Sequence, residues 1–223
     1  PVLSAGECIN TLAFMYKNVI NKGLNLKKTP SVMLWGPPGV GKSQSVKELA
    51  QILQYETYKR VNVTDVRLLL FNPIDLRGIP TANEDKTLAV WLKPKIFQMD
   101  PSNDVINILF LDEINCVSET LAPSMLRFLQ YKTFGSHPVP DGWVIVAAGN
   151  PPEYNKSVKE YDIATLDRIQ KIDVTADYGV WRDYAINEKI HPSIITYLDS
   201  KPTDFYIVEN TPDGKQFVTA RGW

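Results

Sequence analysis

Gly36-Pro37-Pro38-Gly39-Val40-Gly41-Lys42-Ser43 places a glycine, four residues, a second glycine, a lysine and a serine in succession. That spacing suits a phosphate cradle. Glycines let consecutive backbone N–H groups converge on phosphate oxygens without Cβ clashes, and a helix starting at the lysine turns its positive end towards the anion. Lys42 is then able to reach the β- and γ-phosphates, Ser43 offers a hydroxyl to magnesium, and Gln44 continues the first helical turn. Further along, the apolar run "VINILFL" ends in Asp112 and Glu113. Asp112 is placed to hold Mg2+, directly or through water, and Glu113 to orient and deprotonate an attacking water. Alone, such a pair could equally cap the turn that follows. Beside a phosphate loop it argues for hydrolysis rather than passive storage of a nucleotide. Asn150 ends another apolar run, "WVIVAAGN", where it is able to bond a γ-phosphate or the lytic water, or simply to open the turn "NPPEYN".

These groups need elements to position them. Ile9, Leu12, Ala13, Tyr16, Val19 and Ile20 recur at helical spacing and predict a helix from Glu7 to Ile20, stopped by "NKG". "SVMLW" predicts a strand feeding the loop, and Lys42 to Leu53 a helix leaving it. Further strands are expected at Val66 to Phe71, Val105 to Glu113, Trp143 to Asn150 and Ile169 to Val174, with a helix from Thr120 to Leu129. The continuous apolar character of the third strand suits a sheet covered on both faces. Strands separated by helices predict a parallel α/β sheet whose ligand site lies at the strands' carboxyl ends. Beyond Thr175 the texture changes, with helical pieces at Val180 to Glu188 and Pro192 to Leu198, as at the start of a smaller, mainly helical subdomain.

Composition narrows the function classes. A net charge of −1 gives no electrostatic argument for a nucleic-acid partner, and Lys17, Lys22, Lys27 and Lys28 read as a solvated basic face. Cys8 and Cys116 form no close pair, which fits a reducing compartment, and a cytoplasmic location is expected. His137 and His191 stand without a metal-binding cluster. No run approaches the roughly 18 apolar residues of a membrane span, so no transmembrane segment is expected. The numbering starts at Pro1 without a methionine, and the natural N-terminus is expected to be absent.

Taken in order, "GPPGVGKS", "LFLDEIN", "AAGNPPEYN", "ATLDRI" and "TARGW" make the chain resemble an AAA+ ATPase. The resemblance is nearest to the MoxR family and the related dynein-like, AAA_5-type bacterial ATPases, and it covers nearly the whole chain. It implies an α/β fold: a P-loop NTPase parallel sheet with flanking helices, the AAA+ core, over residues 1–175, and the beginning of a small helical lid over 176–223. It implies ATP as the nucleotide, since the loop alone reads only phosphates. Asn150 takes sensor-one duty, Arg168 becomes the arginine finger reaching a neighbouring subunit's nucleotide, and Arg221 the sensor-two arginine of the lid. Pairing of Arg168 with Asp167, a purely surface role for Arg221, and Arg127 as another finger stay open. The tract from Asp75 through Phe97, including Arg77, resembles an insertion near the second core helix. The implied work is remodelling or assembly of a protein complex by a hexameric ring, often with a von Willebrand A-domain protein as partner. Ala220 stands where the family more commonly has proline, and family lids continue beyond the residue matching Trp223, so a longer chain is expected. A DNA- or RNA-associated motor and a nonhydrolysing nucleotide-dependent adaptor are the competing functions.

Overall fold

The structure, a computed structural model, describes residues 1–70, 80–91, 104–134, 137–154, 168–211 and 214–223. The strands are β1 (Val2–Ser4), β2 (Ser31–Trp35), β3 (Arg60–Arg67), β4 (Pro80–Ala82), β5 (Ala89–Trp91), β6 (Val105–Asp112), β7 (Thr133–Phe134), β8 (His137–Pro138), β9 (Trp143–Gly149), β10 (Ile169–Thr175), β11 (Ile207–Thr211) and β12 (Gly214–Val218). The described helices are α1 (Ala5–Asn21), α2 (Lys42–Thr57), α3 (Ala122–Tyr131), α4 (Tyr178–Asn187) and α5 (Pro192–Ser200). Six strands form one sheet in the order β1-β10-β2-β9-β6-β3, every pair parallel. The predicted α/β class and parallel sheet are observed.

The apolar runs hide a strict alternation. Val32 and Leu34, Ile106, Ile108 and Phe110, and Val144, Val146 and Ala148 face the core beneath α1 and α2. Met33, Leu109 and Leu111, with Trp143, Ile145 and Ala147, face the second core, which α3 covers. A sheet buried on both faces needs apolar residues at consecutive positions, which is why its central strands read as unbroken hydrophobic runs. α1 begins two residues earlier than periodicity suggests because Ser4 and Glu7 form a capping box: Glu7 Oε2 accepts from Ser4 N (2.9 Å) and Ser4 Oγ from Glu7 N (3.3 Å).

Two expectations are corrected. The strand expected from Val66 to Phe71 lies instead at Arg60–Arg67, and the apolar Leu68–Leu70 forms a 3₁₀ turn. β3 is the edge of the sheet and largely exposed, so its polar residues are tolerated and only Val66 is buried within it. The helical lid expected after Thr175 also holds two strands, β11 and β12, paired as an antiparallel hairpin after α5. Its core gathers Trp181, Ala185, Leu198 and Phe205, with Trp223 packed against them. Phe71, Arg77, Asp167 and, of the Asp75 to Phe97 tract, residues 75–79 and 92–97 lie outside the described residues; within that tract β4 and β5 form a hairpin.

Candidate functional site

Because the strands run parallel, β2, β6 and β9 deliver Gly36, Asp112 and Asn150 to one edge of the sheet. Gly41, in the left-handed conformation (φ 98°), starts α2 without a side-chain cap. The first-turn N–H groups of α2, Gln44's among them, therefore face the loop with no intrahelical partner, an arrangement ready for an anion. Val40 is buried in the core and pins the loop from below. Gln44 turns its side-chain amide to Glu48 Oε1 (3.3 Å), which leaves only its backbone for a phosphate.

Lys42 lies at the centre, with only 8% of its surface exposed. Its Nζ donates to the carbonyls of Gly36 and Pro37, each at 2.7 Å, and to Asn150 Oδ1 at 2.8 Å. Burial pushes the ammonium pKa down to about 8; Asp112 pulls it back up and the positive charge of Arg221 lowers it further. Arg221 itself is exposed in the turn at Ala220–Gly222.

Ser43 Oγ donates to Asp112 Oδ2 at 3.1 Å. A hydroxyl and a carboxylate in contact are the hard oxygen donors Mg2+ prefers, and Mg2+ takes only one or two such ligands, completing its shell with phosphate oxygens and water. The residues fit that ion. No cluster of three His, Cys, Asp or Glu suited to another metal occurs among the described residues. Glu113, half-buried, adopts a left-handed backbone (φ 57°) and its N–H donates to Asp112 Oδ1 at 2.9 Å. This kink breaks the strand's alternation, so the adjacent carboxylates do not simply project to opposite faces of a pleat. Burial, then Glu113 and Asp112, raise the pKa of the Cys116 thiol, which disfavours a nucleophilic thiolate here.

Sequence reasoning missed Asn115. Buried just beyond the acidic pair, it donates from Nδ2 to Asn150 O (2.5 Å) and accepts from Asn150 N at Oδ1 (3.3 Å). Gly149 makes this approach possible, since a Cβ there would lie 2.8 Å from Asn115 Oδ1 and 2.7 Å from the Trp35 ring. The only cue in the sequence is a polar side chain three residues beyond a buried strand's end. Tyr206 was missed as well. It packs against both the core beneath α1 and α2 and the Trp181 cluster, and its hydroxyl donates to Pro38 O at 3.1 Å. Burial and the neighbouring Tyr154 push its pKa up to about 12, so it stays a donor at neutral pH. Thr219 presses on the loop too: a Cβ on Gly39 (φ 76°) would meet its Oγ1 at 2.5 Å. The carbonyl of Ala220 accepts from Trp181 Nε1 (3.1 Å), which holds "TARGW" in place without the proline.

Arg168 does not join this group. It precedes β10, whose first residue, Ile169, pairs with Ser31 at the start of β2. The length of β2 separates it from the phosphate loop, a distance of about 15 Å. Arg127 is exposed on α3. His191 caps α5, accepting at Nδ1 from Ser193 N (3.3 Å), and so has a structural role.

A family model, "ATPase family associated with various cellular activities (AAA)", matches residues 31–170. Among solved structures, a putative ATPase from Cytophaga hutchinsonii is 21% identical, covering 84% of this chain and 56% of its own, at a TM-score of 0.49. C. elegans PCH-2 is 16% identical over 82% of this chain and 47% of its own, at 0.46. The closed state of Hsp104 with ATPγS and FITC casein is 15% identical over 83% of this chain and 36% of its own, at 0.56, a likeness of fold. The chain thus spans between 36% and 56% of the length of these three. No curated protein matches it.

Proposed function

The chain belongs to the ATPase family associated with various cellular activities, and on that premise we propose that it couples magnesium-dependent ATP hydrolysis to the remodelling or assembly of a protein complex, as a MoxR-like AAA+ machine. That it is an ATP-hydrolysing enzyme of the AAA+ type follows from the family. The observation supporting the site assignment is the direct contact of Lys42 with Asn150 and of Ser43 with Asp112 at one edge of the sheet. Loop N–H groups and Lys42 hold the β- and γ-phosphates, the ammonium exchanging a carbonyl partner for a phosphate oxygen. Ser43 and Asp112 would hold Mg2+, which would supply positive charge to offset the negative charge of the phosphates.

Glu113 takes a proton from water as the water oxygen bonds to the γ-phosphorus. The bond from that phosphorus to the β–γ bridging oxygen breaks, and ADP leaves with the electron pair. Asn150 orients the water or the γ-phosphate, and Asn115 fixes the backbone of Asn150. Residues 176–223 act as a lid that brings Arg221 to the same phosphates. Arg168, remote from its own loop, completes the site of a neighbouring copy, so hydrolysis depends on a ring. A hexamer and a von Willebrand A-domain partner are the assembly that the family resemblance suggests.

Phosphate release by the full-length protein with Mg2+ tests the assignment. Glu113→Gln is expected to abolish turnover while keeping ATP binding. Absence of turnover in both proteins, under conditions shown to assemble them, would contradict hydrolysis and favour the adaptor. Salt-sensitive stimulation by DNA or RNA would favour the motor.

A further inference from the structure

Arg168 lies over an aromatic ring, its guanidinium carbon 5.0 Å from the centroid of Tyr131. Tyr131 is the last residue of α3 and 54% exposed, yet the backbone beneath it is clamped. Ser31 Oγ donates to Leu129 O at 2.7 Å, and Lys132 N to Phe128 O at 2.8 Å. Lys132, in the left-handed conformation that closes the helix, buries its ammonium between the carbonyls of Lys27 and Thr29. Arg168 is tied to the same place from the other side, because the residue after it pairs with Ser31. Ring and guanidinium are thus both referenced to Ser31, one through Leu129 and the other through Ile169.

The surroundings are cationic. Lys27, Lys28, Lys132 and Arg168 line a cleft of about 620 Å³ in which, among the described residues, Asp141 is the one acid. Like charges would drive a long, unheld arginine side chain away from the cleft. A carboxylate partner would hold it, but by occupying the N–H groups that a phosphate needs. An aromatic face attracts the guanidinium through its plane and leaves the N–H edge open.

We propose that Tyr131 is the positioning residue for Arg168, presenting its N–H edge to the nucleotide phosphates of a second copy of this chain. The proposal rests on the reading that Arg168 acts across a subunit boundary, and the test separates the two. Glu113→Gln and Arg168→Ala proteins, full-length and each inactive alone, are mixed in equal amounts and their phosphate release is measured. Random mixing gives about a quarter of wild-type turnover, since half the sites are intact and half the donors carry the arginine.

Tyr131→Ala placed in the Glu113→Gln chain, which donates the arginine, is expected to lower that recovered kcat roughly 3–10-fold with KM for ATP unchanged. The same substitution placed in the Arg168→Ala chain leaves the recovered rate as it was, and Tyr131→Phe in the donor restores it. A loss that is equal in both chains, or absent from the donor, overturns the role of Tyr131. No recovery in mixtures shown to co-assemble overturns the action of Arg168 across the boundary, and the proposal with it.

Discussion

Lys42 and Lys132 sit at opposite ends of the same sheet, and by burial they are twins. Each is 8% exposed, each donates to two backbone carbonyls, and burial lowers the pKa of each to about 8. Their neighbours differ. Lys42 has a third partner in Asn150, and Asp112 opposes its loss of charge. Beside Lys132 the neighbouring charge is Lys27, which lowers its pKa further. A buried, depressed lysine is therefore no mark of a reactive site by itself. What separates the two is an acid close by and partners on a glycine-rich loop that a ligand is able to replace.

Exchanging each lysine gives the sharpest contrast. Lys42→Ala is expected to lower turnover about a hundredfold or more and to abolish ATP binding. Stability to urea should fall as well, by about 1–3 kcal/mol, because the Gly36 and Pro37 carbonyls lose their donor. Lys132→Met should share that loss, through the orphaned Lys27 and Thr29 carbonyls, but keep ATP binding. Equal effects on both properties in the two variants would break the distinction. Asn150→Ala should slow turnover about tenfold or more with little change in ATP binding, and Asn115→Ala should do so more weakly, since it acts through the Asn150 backbone. Steady-state kinetics on the pair checks that order.

Tyr206→Phe removes one hydrogen bond to Pro38 and should weaken nucleotide affinity by about 2–10-fold, readable by equilibrium titration. The smallest effect concerns pH. Folded Lys132 loses its proton near pH 8, whereas the unfolded side chain does so near the model-peptide value of 10.5. Between those values the unfolded state holds more protons, so this group's contribution to stability grows as pH rises, and below pH 8 its burial cost is fully present. The stability deficit of Lys132→Met should therefore widen between pH 7.5 and 9.5 in urea melts.

The grouping of polar residues at the carboxyl edge was legible in the sequence because it is written locally: a loop spacing, and polar residues at the ends of apolar runs. Gly36 to Ser43, Asp112 and Asn150 meet as their strands' parallel order requires. The edge strand β3 was misplaced because exposure frees it from an apolar pattern, and the real apolar run beside it coils into a 3₁₀ turn. Asn115, Tyr206, Tyr131 and Lys132 were invisible for a different reason. Their roles depend on contacts between distant parts of the chain, as between Tyr206 and Pro38 or Lys132 and Lys27, and no spacing encodes those.

The central claim is that hydrolysis is divided between the two ends of the sheet and completed only between copies. Phosphate release per chain, followed across a concentration series with assembly measured alongside, tests it most directly. The account predicts that wild-type specific activity rises as the assembly forms. Arg168→Ala should bind ATP and assemble yet stay flat and low. Specific activity independent of concentration, with Arg168→Ala as active as wild type, would contradict it.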